Sequence, residues 1–238
     1  MPIAIVDGRI SDECERGLML RGFKVIKTEK NKSIGEAVCY HPDMLTFVDG
    51  NTVITSVYYA EYAETLFSDI RYYSKDARIT FVDEMQSEKY PHDAIFNALV
   101  IGKRIFCKTD SISKAVLEHA KERELEIVHV NQGYPACTVL PISDDAAITA
   151  DKGMCEALTR SGISVTLIED GDILLPPYEY GFIGGAAGVF GDDVYFLGDV
   201  TEHRSYEKIR EACKAVGKRI VSLSGEGLTD LGRILFLS

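Results

Sequence analysis

The feature that most constrains this chain is a set of elements that recurs in fixed order. Met44–Thr55 holds two strand-like runs around an Asp49-Gly50 turn, a hairpin signal. A helical stretch from about Tyr59 to Tyr73 follows, and the strand Arg78–Asp83 closes the unit. The same order returns in Ala94–Ile101, a Gly102-Lys103 turn, Arg104–Cys107, a helix from Ser111 to about Arg123, and Glu126–Val130. A third copy runs Thr138–Ile142, turn at Asp144-Asp145, Ala146–Thr149, a helix over about Asp151–Ser161 stopped by Gly162, and Ile163–Ile168. The fourth has Ala187–Phe190, turn at Gly191-Asp192, Val194–Leu197, a helix over Tyr206–Val216 stopped by Gly217, and Arg219–Leu223. After that the C-terminus offers one strand, Arg233–Leu237, and the N-terminus supplies the missing parts: Ile3–Val6, a helix over about Asp12–Leu20 with Ser11 as N-cap and Gly22 as stop, and Phe23–Ile26. Matching second-strand positions are Ile5, Ile54, Phe106, Ile148 and Phe196, spaced 42 to 52 residues apart, and the wrap from Phe196 through Ser238 to Ile5 is 47. Five ββαβ units in a ring, the fifth closed by the two termini, is the economical reading. One unit alone leaves an apolar face exposed, and closing the ring buries all five. The fold class expected is therefore α/β, a five-bladed propeller with pseudo-fivefold symmetry in a single domain over 1–238.

Composition sets the outer limits. Of 238 residues 46% are hydrophobic and 26% charged, which suffices for a sizeable core and excludes a disordered or collagen-like chain. No run approaches 18 apolar residues, so no membrane span is expected, and the opening Met1–Asp7 reads as a strand rather than a signal peptide. The net charge is −11 with no clustered Lys and Arg, which argues against a nucleic-acid partner. The six cysteines show no CxxC spacing and read as reduced thiols in a cytoplasmic protein. Cys14, Cys107, Cys155 and Cys213 fall in helix- or strand-like segments as small apolar fillers, whereas Cys39 and Cys137 precede strands in turn-rich sequence. His119, on a helix rich in charge, is expected at the surface. No GxGxxG, P-loop or GxSxG arrangement is present, so no cofactor is expected; His41, Asp43, His92 and Cys137 are competent metal-ligand types, but with no ligand spacing on one element no metal is assigned. A homo-oligomer is compatible with all of this.

Five ββαβ units with the termini completing the last resemble the pentein fold of guanidino-group-modifying enzymes such as arginine deiminase, dimethylargininase and the amidinotransferases. A closer resemblance is to an uncharacterised bacterial family assigned that fold. The stretches that carry it are Gln132–Cys137 with Ala147–Asp151, Gly181–Gly188, and Gly225–Gly232. The resemblance implies an axial funnel lined by the residues that precede each unit's first strand. In it a Cys attacks the guanidinium carbon, a His moves protons, and carboxylates clamp the planar cation bidentately. This chain departs from that pattern. Leu228–Ile234, where the nucleophile stands in such enzymes, has no Cys, and Gly184 and Gly185 stand where the His is expected.

The residues at the equivalent heads of the five units form an alternative set: His41-Pro42-Asp43, Tyr90-Pro91-His92-Asp93, Tyr134-Pro135-Ala136-Cys137, Gly184-Gly185 and Thr229-Asp230. Pseudo-symmetry directs them toward one cavity. Cys137 is then the nucleophile and His92 the base. Asp43, Asp93 and Asp230 form the cation clamp with His41 nearby; Gln132, Tyr134 and Asn97 supply hydrogen bonds; and Gly184 and Gly185 leave room for a ligand or offer backbone N–H groups. Each residue also has a plainer reading: Asp and Pro as turn formers, His41 and His92 as exposed loop residues, Cys137 as a buried small residue, and the glycine pair as tight turns. Two functions follow. One is a Cys-dependent hydrolase or transferase acting at a small amidine- or guanidine-type C–N carbon. The other is a non-catalytic binding protein that kept the fold and lost the standard Cys/His pair.

Overall fold

The computed structural model describes residues 1–238 and contains five three-stranded sheets of one topology. In the first unit Thr46–Asp49 pairs antiparallel with Thr52–Ser56, which pairs parallel with Arg78–Val82. Leu99–Ile101, Arg104–Cys107 and Glu126–His129 repeat this in the second unit, and Val139–Pro141, Ala146–Thr149 and Ser164–Leu167 in the third. Ala187–Phe190, Asp193–Phe196 and Arg219–Ser222 form the fourth. In the fifth the C-terminal strand Leu235–Leu237 pairs antiparallel with the N-terminal strand Ile3–Val6, which pairs parallel with Lys24–Lys27. The ends of the chain thus complete one unit between them, as the spacing predicts.

The parallel crossovers carry the helices Asp12–Met19, Glu64–Tyr73, Lys114–Glu122, Lys152–Arg160 and Tyr206–Ala215. Their ends follow local chemistry. The Ser11 side chain accepts from the Cys14 N–H and that of Asp151 from the Met154 N–H, and Gly22, Gly162 and Gly217 adopt positive φ after their helices. The helix expected over 59–73 is interrupted: Val57–Ala60 forms a separate turn capped by Ser56, and the main helix starts at Glu64. Thr138, expected to open a strand, ends the short helix Pro135–Thr138.

What holds the ring is visible in where the core sits. Five apolar clusters exist, and each lies between two neighbouring units. Ile3, Ile5 and Leu237 of the fifth unit pack with Leu45, Val53 and Ile70 of the first. Phe47 and Ile54 then meet Ile105 and Val116 of the second. Leu99 and Phe106 meet Ala147 and Leu158 of the third, and Leu140 and Ile148 meet Phe196 and Ile209 of the fourth. Tyr195 and Leu197 return to Ala4, Val6 and Leu18 of the fifth. Successive side chains of a strand point to opposite faces, so neighbours on each middle strand feed different clusters: Val53 and Ile54, Ile105 and Phe106, Ala147 and Ile148, Tyr195 and Phe196, Ala4 and Ile5. This is why the middle strands read as unbroken apolar runs rather than alternating ones. A unit removed from the ring would expose both faces, which makes closure a condition of stability. His119 departs from expectation: it is buried, 2.8 Å from an Asp49 oxygen and edge-on to Phe47, joining the second unit to the first.

The first strands face the hub. At the hairpin end, residues of all five line a cavity of about 450 Å³, and Asp43 and Arg233 line it too. A second cavity, of about 610 Å³, opens at the other end, where the unit heads converge.

Candidate active site at the hub

The heads of the five units are tied to one another by a closed circuit of hydrogen bonds. The Asp43 N–H of the first donates to Gly232 O of the fifth at 3.2 Å, and the Arg233 N–H of the fifth donates to Gly185 O of the fourth at 2.8 Å. The Gly185 N–H donates to Cys137 O of the third at 2.9 Å. The Ala136 N–H donates to Asn97 Oδ1 of the second at 2.8 Å, and Asn97 Nδ2 returns to Asp43 O at 3.4 Å. Polar backbone inside a protein needs such partners, and here they double as the scaffold of the site. The first and third heads are short helices, Pro42–Leu45 and Pro135–Thr138, each with proline at its start.

Cys137 sits at the centre of this circuit, 4% exposed. Its thiol donates to Asp43 Oδ2 at 2.9 Å, and Asn97 Nδ2 donates to its sulfur at 3.3 Å. His41 is close by: its ring nitrogens, the Asp43 oxygens and the Cys137 sulfur supply atoms that all lie within 4.8 Å of one another. His41 Nε2 stands 3.9 Å from Asp7 Oδ2 and Nδ1 stands 4.0 Å from Asp230 Oδ1, too far to hydrogen-bond. Both ring nitrogens, Asp43 Oδ1 and Asp93 Oδ1 are buried without a partner. Asp7 itself is held by a two-point ion pair with Arg9.

Asp230 is positioned from three sides. Its oxygens accept from the Phe182 N–H at 2.8 Å and the Gly232 N–H at 3.1 Å. A Cβ on Gly185 would stand 1.9 Å from its Oδ1, and one on Gly181 would stand 2.5 Å from its Cβ. Gly184 is equally tight, against the carbonyls of Ala136, Cys137 and Val139. The glycine pair therefore serves close approach between heads, and neither residue lines the open cavity.

Burial dominates the electrostatics. It pushes the Asp43 carboxyl up to about 7, with the thiol hydrogen bond opposing and the Asp230 charge adding. It raises Asp230 to about 6 against its two backbone donors, and lowers His41 to about 3. The Cys137 thiol is raised well above its ordinary value by burial, then by the charges of Asp43 and Asp230. At neutral pH the resting site thus holds a thiol and a neutral imidazole.

The cavity at the unit heads is lined by His41, Asp93, Tyr134, Cys137 and Asp230, with Asp43 and Asn97 buried beneath. The Tyr134 hydroxyl donates to Asp93 Oδ2 at 2.6 Å. Besides the glycine pair, two residues from the expected set lie elsewhere. His92 is exposed and does not line the cavity: Asp93 turns inward, where Gln86 Nε2 donates to its backbone carbonyl at 2.6 Å, and its neighbour faces solvent. The histidine beside Cys137 is His41. Gln132 lies outside the cavity too, donating to Asp151 and accepting the Tyr134 N–H. Sequence reasoning missed Asp7, Gln86 and the mouth formed by Leu175 and Pro177–Phe182, which follow no repeat position. The one signal for the last of these was its own aromatic cluster, Tyr178, Tyr180 and Phe182, between the third and fourth units. Cys39 is a buried filler in the core between the fifth and first units.

The model of a family of unknown function, DUF6873, matches residues 5–235, and the chain belongs to that family. No curated protein matches by sequence. Among solved structures, a Campylobacter jejuni agmatine deiminase is similar at a TM-score of 0.59 and 9% identity, over 100% of this chain and 94% of that one. A Pseudomonas aeruginosa DDAH variant complexed with citrulline is similar at 0.56 and 7% identity, over 94% and 91%. An amidinotransferase of saxitoxin biosynthesis from Microseira wollei is similar at 0.54 and 12% identity, over 93% and 88%. The fold is that of the penteins.

Proposed function

We propose that this member of the DUF6873 family binds a small cationic amidine or guanidine in its hub cavity and acts on it through Cys137, as a hydrolase or transferase at the C–N carbon. The observation that carries this reading is the cavity lining. Cys137 lies at the base of a space lined by Glu36, Glu88, Asp93, Glu179 and Asp230, with no Lys or Arg among its lining residues. Glu36 is engaged by Lys30, which leaves four acids that pair with no Lys or Arg. An amidinium offers flat N–H donors to such acceptors, and the unpartnered oxygen of Asp93 suits it.

The chemistry then follows from charge. A cation entering the cavity favours the ionised forms of Asp43, Asp230 and Cys137, because opposite charge at short range offsets burial. The thiol proton passes to Asp43, its hydrogen-bond partner. The sulfur attacks the amidinium carbon, an S–C bond forms, and a C–N bond breaks as the departing amine takes from Asp43 the proton that the thiol gave it. Water, or an acceptor amine in a transferase, displaces the sulfur and restores the thiol. Asn97 and Tyr134 orient Cys137 and Asp93. The six free cysteines suit a reducing cytoplasmic setting.

The test compares a cationic electrophile, 2-chloroacetamidine, with neutral 2-chloroacetamide on the full chain. The amidine is expected to label Cys137 at least about tenfold faster, the effect of roughly 1.4 kcal/mol of charge attraction. Methylguanidine protects, and Asp230→Asn removes the preference. Equal rates, or label on another cysteine, would overturn the reading. The binding-only alternative draws on the protonated resting thiol. A Cys137→Ala protein that still binds methylguanidine, with no ammonia or amine released from guanidines by the wild type, would favour it.

A further inference from the structure

We propose that His41, Asp43 and Cys137 form a binding site for one divalent d-block cation of the zinc class. The three side chains come from two different units, yet their donor atoms all fall within 4.8 Å of one another. Nitrogen, oxygen and sulfur donors bound to one tetrahedral ion stand roughly 3.3–3.8 Å apart, given bonds of about 2.0–2.3 Å. The widest pair has at most about 1.5 Å to close.

A separate observation points to a ligand here. His41 is 1% exposed and Asp43 is 3% exposed, yet both His41 nitrogens and Asp43 Oδ1 lack any hydrogen-bond partner. Two adjacent polar groups left unsatisfied are costly, and a metal ion satisfies both at once. The surroundings of His41 also suit ligation. A metal-bound histidine usually directs its other ring N–H at a carboxylate, and Asp7 and Asp230 flank the two ends of this ring at 3.9 and 4.0 Å. Either nitrogen can bind the ion with a carboxylate behind the other.

The donor types select the class. Thiolate with imidazole suits zinc, cobalt or copper, and one carboxylate is too few hard ligands for calcium or magnesium. Three protein ligands leave the fourth position of a tetrahedral ion to a ligand from the cavity. On binding, the metal–sulfur bond replaces the thiol hydrogen bond to Asp43, and the thiol proton is released to solvent. Because Asp43 and Cys137 serve both, the metal and the amidine compete. This inference does not rest on turnover. A chain that binds metal and ignores guanidines leaves it standing while the preceding reading fails.

The experiment titrates Co²⁺ into the full-length, reduced, chelator-treated protein. The expected result is one Co²⁺ per chain, a thiolate-to-cobalt charge-transfer band and the strong visible bands of tetrahedral cobalt, all displaced by Zn²⁺. Cys137→Ser should lose the charge-transfer band, and His41→Ala should weaken binding by at least about tenfold. X-ray absorption of the zinc-loaded wild type needs no variant and should show one sulfur near 2.3 Å with nitrogen and oxygen near 2.0 Å. A wild type with native circular dichroism and no cobalt bands, a band that survives Cys137→Ser, or a zinc shell without sulfur would overturn the proposal.

Discussion

Replacing Asp43 by Asn should stabilise the protein, and more so as pH rises. Asp43 is buried and its carboxyl lies near 7 in the fold, against 3.8 when exposed. Between those values the folded chain keeps a proton that the unfolded chain has lost. The sign follows: a group raised by folding contributes its full stability below pH 3.8, and that contribution is lost as pH rises through about 7. The rise from 3.8 to about 7 limits the total to about 4 kcal/mol, of which about 2–3 kcal/mol falls between pH 5 and pH 8. The Asn variant has no such term, and His41 is present in both proteins. Urea unfolding of wild type and Asp43→Asn at pH 5 and pH 8, with chelator to keep metals away, reads the difference. The gap between the two stabilities should widen in favour of Asn by about 2–3 kcal/mol at the higher pH. Parallel profiles would refute the reasoning, because they would mean that Asp43 ionises as freely inside the fold as outside it.

Other outcomes test the frame of the site. Gly185→Ala places a Cβ 1.9 Å from an Asp230 oxygen, so it should cost at least about 1–3 kcal/mol by urea midpoint; an unchanged midpoint would show Asp230 free to move. Phe196→Ala, inside the cluster between the third and fourth units, should cost about 3–5 kcal/mol, and a loss below 1 kcal/mol would deny that interface its role. A circular permutant with Ser238 linked to Met1 and the chain opened between Asp144 and Asp145 should fold with a native circular dichroism spectrum, since Leu237 and Ile3 are already paired and the 144–145 turn is exposed. An unfolded permutant would count against ring closure through the fifth sheet.

Much of this fold was legible because its unit is legible. Each hairpin has a short turn, four of the five crossover helices have a glycine stop or a capping oxygen, and the return from Phe196 to Ile5 matches the internal steps. The site was legible only in outline. The heads of the units did converge, which put Cys137, Asp43, Asp93, Asp230, Asn97 and Tyr134 in or beneath one cavity. His41 and His92 show the limit. Each adjoins a Pro and lies within two residues of an Asp, so their sequences look alike, but the loop before Phe96 directs Asp93 inward and its neighbour outward. The glycine pair had the opposite difficulty. Gly184 and Gly185 were visible, but the carbonyls and carboxylate that exclude a Cβ there come from two other units.

What the order of residues determined alone was the architecture, because hairpins, caps and apolar runs act within one unit and need only near neighbours. The five clusters follow from it, since every middle strand is apolar on both faces and must find a unit on each side. What only the folded ring decided was the chemistry of the hub. Charge, burial and the orphaned nitrogens of His41 arise from side chains up to 223 positions apart in the chain, from Asp7 to Asp230, and no local pattern encodes which of them share a dry space.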